Sequence, residues 1–344
     1  MKFAIGYQLP GEDEEPFVEI VRDYREHIAE VYFPWADMPS GRAPLATQAG
    51  YTDWSAQAGL EEDLVALKEM GVKLDILFNA NCYGARAVSR WLENQVRSVM
   101  DYLQHIVGGA EIATTTSPFV ARTLQEFHPE VEVRASVNMR IGTIKAMEYV
   151  ADLFDTFQFQ RDFNRDLAHL RELKNWADQR GKGLVMLANS GCLYLCSGQI
   201  FHDNLVAHEA DLDETHNVEG WAPHTCWRFF ADPANWVGLL QNTWVRPEDL
   251  HHYDDLFPVV KLATRMHARP RAVIDAYVNR SFRGNLLDLM EPGFGPALAP
   301  HILDNRRFPD DWFERTSTCD RRCHACDYCQ GVLEKVLVRV DGVS

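Results

Sequence analysis

The chain lacks any uninterrupted apolar run of membrane-spanning length, and its opening Met1-Lys2-Phe3-Ala4-Ile5-Gly6 leads into a strand-like segment rather than a secretory leader. Positive charge is scarce: 34 Lys and Arg stand against 50 Asp and Glu, for a formal net charge of −16. That balance argues against a large nucleic-acid-binding surface, so nucleic acid is not expected as a partner. A small anion in a local positive pocket remains open. Internal repeats and low-complexity tracts are absent, as are an HExxH zinc motif and a nucleophile-elbow signature. The sequence predicts a globular, cytoplasmic protein without a membrane span.

What the chain does have is cysteine. At 344 residues it can bury a core without disulfides, so its eight cysteines need another explanation. In a reducing compartment clustered thiols bind metal more often than they pair. Cys192 and Cys196 follow the apolar run Leu184-Val185-Met186-Leu187-Ala188 and then Asn189-Ser190-Gly191. This reads as a buried strand delivering two thiols at its C-terminal tip.

Strand-like runs at 2–7, 30–33, 73–79, 110–114, 131–138, 156–161, 184–189 and 258–265 alternate with helical spacing. Eight such units predict an α/β fold, a (β/α)₈ TIM-like barrel over residues 1–268. The interval of about 201–257 is too long for one crossover and predicts an insertion after strand 7, over the barrel mouth. Residues 269–344 are expected to form a helical, Cys-rich C-terminal extension.

Cys192 and Cys196 alone make an incomplete site. Cys226 from the insertion is a natural third ligand and Cys82, at another strand tip, a candidate fourth. Four thiolates at one mouth suit a [4Fe-4S] cluster or a tetrahedral zinc ion. Cys319, Cys323, Cys326 and Cys329 follow at intervals of three, two and two residues. Such spacings wrap a [4Fe-4S] cluster, with zinc, His324 replacing one thiol, as the alternative. Arg134, Arg161, Lys261 and Arg265 fall near strand ends, where a cationic pocket would take a carboxylate or phosphate. His202 and His208 are candidate proton-transfer groups.

Several of these stretches resemble the U32 peptidase family, the collagenase-like proteases. Glu30-Val31-Tyr32 followed by Ser40-Gly41-Arg42 looks like its second-strand pattern, and Ala135-Ser136-Val137-Asn138 like its fifth. Gln160-Arg161-Asp162 is similar to its sixth and Lys261-Leu262-Ala263-Thr264-Arg265 to its eighth. The cysteine strand, with Ser197-Gly198 and the later Cys226, matches best. Asp162 departs from the family's Glu, and Ala263-Thr264 from its Glu-Gly.

The resemblance implies a barrel with Asn138 in the substrate site and Asp162 in catalysis. Several members carry a [4Fe-4S] cluster and serve oxygen-independent hydroxylation. The expectation is therefore an iron–sulfur enzyme acting on a small anionic or aromatic substrate, with one [4Fe-4S] cluster or two. An electron donor or a homologous partner protein would accompany it. The alternative is a U32-type peptidase, followed by an RNA-modifying hydroxylase or a non-catalytic iron–sulfur scaffold.

Overall fold

Eight short strands close in chain order into a parallel barrel, with β8 returning to pair with β1. They are β1 (Lys2–Gly6), β2 (Ile28–Phe33), β3 (Lys73–Phe78), β4 (Ile112–Thr115), β5 (Glu132–Ala135), β6 (Thr156–Gln158), β7 (Gly183–Leu187) and β8 (Val259–Lys261). Each coincides with a run that the sequence marks as a strand. The computed structural model describes residues 1–11, 14–36, 38–41, 53–209, 221 and 224–340. Arg42 and much of the loop between 209 and 224 lie outside them.

Helices α1 (Phe17–Asp23), α2 (Trp54–Glu69), α3 (Arg90–Val107), α4 (Pro118–Phe127), α5 (Ile144–Glu148) and α6 (Leu167–Asp178) fill the crossovers. The local chemistry of α3 shows why they form. Ser89 caps its first turn by accepting the Leu92 N–H, and Gly108 ends it at φ 72°. Between them Leu92, Val96, Val99 and Leu103 bury one stripe against the barrel.

The expected insertion contains α7 (Gln199–Ala207), α8 (Thr225–Phe230) and α9 (Val237–Gln241). The extension holds α10 (Pro270–Val278), α11 (Gly295–Leu298), α12 (Trp312–Ser317) and α13 (Tyr328–Val336), with an antiparallel pair, β9 (His301–Leu303) and β10 (Leu337–Arg339). Trp312, Leu333 and Val336 join the apolar core that surrounds the barrel, so the extension is packed onto it. No described helix is long and apolar enough to cross a membrane.

The barrel interior is unusually charged for a fold whose centre is commonly filled by branched aliphatic residues. Glu30, Asp75, Arg134 and Lys261 are all buried there, beside Thr114 and Gln158. Arg134 binds Glu30 through two nitrogens, at 2.6 and 3.1 Å, and Thr114 donates to Asp75 at 2.8 Å.

Candidate active site at the barrel mouth

The tip of β7 is tied down before it reaches the cysteines. Asn189 is fully buried, donates to the carbonyls of Ala263 and Leu289, and accepts the Ala263 N–H at 2.6 Å. One side chain thereby joins β7, the end of β8 and the extension. A Cβ at Gly191 would overlap the Pro292 carbonyl, so only glycine lets the extension approach here.

Beyond Gly191 the chain arches from Cys192 to Cys196 with Leu195 in the left-handed region at φ 46°. Asp162 accepts the Leu195 N–H at 2.5 Å and the Gln160 side-chain N–H at 2.8 Å. Asn242, at the end of α9, accepts the Tyr194 N–H and donates to the Gly191 carbonyl. Gly198 lies against Thr225, which a Cβ would overlap, and this close approach sets Cys226 beside the arch.

The result is one pocket lined by Cys192, Cys196 and Cys226 together with Arg161, Lys261 and Arg265. His202 and Asn138 also line it. Burial opposes the Arg161 charge, but Cys192, Asp203, Asp162 and Cys196 around it hold its guanidinium above its ordinary value. Lys261 sits with its Nζ 3.8 Å from the centre of the Tyr32 ring. Burial pushes its amine down to about 8, with Asp75 opposing and Arg134 and Arg265 adding repulsion. Burial also raises the Cys196 thiol, and takes that of Cys226 up to about 11. Metal loading at such thiols would release protons. Arg265 donates to Ser40 at 3.1 Å, and Gly6 lets it pass, since a Cβ there would stand 2.7 Å from both Arg265 and Tyr32.

Some expected roles need correction. Arg134 does not line this pocket: it lies within β5, not past its tip, and is engaged by Glu30, Glu132 and Asp75. Asp162 is buried beneath the arch with both oxygens engaged and is not on the pocket wall, so its described contacts are those of a residue that positions the cysteine arch. Cys82 lies in the loop after β3 with its sulfur accepting the Gly84 N–H, and it is not on the pocket wall with the other three thiols. His208 caps the end of α7 near Gly84, also off the wall.

Other lining residues carried no expectation: Ser190, Asp203 and Glu291. The Ser190 hydroxyl is buried without a hydrogen-bond partner, a group poised for a ligand. Its signal was its place at a strand tip, after an apolar run. Glu291 comes from the extension and has no such signal.

The tail cysteines form a separate cavity. The two thiol sets are neighbours nonetheless, because Arg321 lies over the Tyr194 ring at 5.3 Å. Among the described residues no group of three or more His, Cys, Asp or Glu converges as a single ion would require.

No protein-family model matches the chain. It is 24% identical over 324 residues to the uncharacterized protease MJ1657 of Methanocaldococcus jannaschii, covering 93% of this chain and 92% of that protein. Its fold is similar to the solved structure of the U32 peptidase Mk0906, with a TM-score of 0.52 and 14% identity over 76% of this chain and 92% of that one. A GH113 β-1,4-mannanase is a more distant likeness, with a TM-score of 0.35 and 11% identity over 64% of this chain and 85% of that one. The chain is thus similar over nearly its whole length to a protein named as a protease, and it shares the barrel fold of a U32 peptidase.

Proposed function

We propose that the chain is a U32-type enzyme that binds a carboxylate-bearing peptide at the barrel mouth and hydrolyses it there. The observation that carries the reading is one pocket joining Arg161, Lys261 and Arg265 in a protein of net charge −16. Those three cations share the wall with two acids, Asp203 and Glu291, and still outnumber them in an acidic protein, which favours an anionic ligand, and guanidinium forks match a carboxylate. The protease name of the relative suggests a peptide as the substrate class. Lys261, with its amine near 8, is the group suited to exchange a proton with water or the leaving amine.

A second reading is favoured by the three thiols. Cys192, Cys196 and Cys226 are all free and line the same pocket, so they fit a thiolate-bound iron–sulfur cluster. The three act on one another electrostatically, so they lie close enough together to share one group. Such a cluster supplies electron-transfer chemistry when bound, and the pocket would then serve redox modification, including oxygen-independent hydroxylation.

Mass spectrometry on the anaerobically purified full chain separates the readings. With peptides ending in a free carboxylate, two fragments whose masses sum to substrate plus water support hydrolysis. An intact peptide gaining one oxygen from water, with two electrons passed to an added acceptor and two protons released, supports the redox reading instead. Unchanged peptide under both conditions contradicts the assignment.

A further inference from the structure

The tail cavity, of about 370 Å³, is lined by all four of Cys319, Cys323, Cys326 and Cys329. Arg165 also lines it and takes no part in the mouth pocket. Arg165 is almost wholly buried at 2% exposure. It donates from Nε to the Trp244 carbonyl at 2.9 Å and from one terminal nitrogen to the Leu240 carbonyl at 3.1 Å. Its guanidinium also packs against the Trp244 and Trp312 rings at 4.3 and 4.9 Å.

The other terminal nitrogen, Nη2, is buried with no hydrogen-bond partner, and no described carboxylate pairs with the side chain. The acid that acts on it through space, Asp249, is engaged by Arg246 at 2.8 and 2.9 Å. Burial and the repulsion of Arg321 work against the Arg165 charge, and Asp249 and Cys329 offset them only in part, so an anion in the cavity would stabilise it. Arg315 and Arg321 line the same cavity, and the Arg321 N–H already donates to the Cys319 sulfur at 3.3 Å.

We propose that the tail cavity is an iron–sulfur site, four thiolates around a [4Fe-4S] cube, in which buried Arg165 supplies the countercharge. Four thiolates on such a cluster leave it net negative, and a guanidinium that lines the same cavity, with Cys329 already acting on it, favours such a ligand. All four cysteines line one cavity and act on one another electrostatically, and their short spacings suit the four corners of a cube. This inference does not rest on the peptidase or hydroxylase reading of the mouth.

The test uses the full chain purified without oxygen, with iron, acid-labile sulfide and zinc measured per chain and electron paramagnetic resonance recorded after reduction. Cys323→Ser/Cys329→Ser is expected to lose about four irons per chain, while Cys192→Ser/Cys226→Ser keeps them together with the tail signal. Arg165→Met is expected to lose at least about half of the tail iron and to shift the remaining signal to a lower reduction potential. Should Arg165→Met not fold, Arg165→Gln, which keeps an amide donor for the Trp244 and Leu240 carbonyls, carries the same expectation. Tail iron unaffected by the paired serines, zinc in place of iron, or a folded Arg165 variant with wild-type iron content and potential would each overturn the proposal.

Discussion

Two arginines show what a residue's identity does and does not reveal. Arg134 and Arg161 looked alike in sequence, yet β5 runs past the first and pairs it with Thr114, whereas the second lies beyond the end of β6. Strand alternation locates a barrel strand but not the point at which its residues pass from interior to mouth. Arg134→Met should therefore leave Glu30 and Asp75 uncompensated and cost about 3–5 kcal/mol in urea unfolding. A stable Arg134→Met chain with weakened substrate binding would restore it to the substrate site. In the proposed hydrolysis the free amine of Lys261 serves as the base, and burial lowers its titration from the ordinary lysine value to about 8. kcat/KM for hydrolysis should rise as pH climbs through that value, and Lys261→Met should lose about 10²-fold or more together with that limb. A retained limb in Lys261→Met would assign the base elsewhere.

At the level of elements, the strands and most helices were legible because their apolar spacing is dictated by the face each must bury. The cysteine arch was not. Nothing in the sequence announces the left-handed Leu195, and Asp162, which holds it, reads equally as a catalytic acid. Contact between Gly198 and Thr225 likewise joins segments whose intervening residues give no local cue. Gly198→Ala should push α8 and Cys226 away from the arch. The expected result is a stability loss of only about 1–3 kcal/mol, with turnover falling much further. Gly198→Ala/Thr225→Gly should recover turnover, since it removes the opposing side chain. If the double variant stays inactive, the approach of these elements is not what assembles the pocket.

Over the whole molecule, barrel closure followed from counting βα units, and the insertion from an interval too long for a crossover. Docking of the extension could not be read this way, because it depends on surfaces that exist only once the barrel is closed. Trp312 stacks on Trp244 at 5.8 Å and couples the extension to the insertion. Trp312→Ala should cost about 3–5 kcal/mol and lower one cooperative transition, followed by fluorescence and circular dichroism together. Two separable transitions would mean that the extension folds independently. The central claim is that the mouth recognises a carboxylate through its cations, and calorimetric titration tests it with a peptide acid and the matching C-terminal amide. The acid should bind at least about tenfold more tightly to the wild-type chain, with the advantage gone in Arg265→Met. Equal affinity of the two peptides for the wild-type chain would contradict the account.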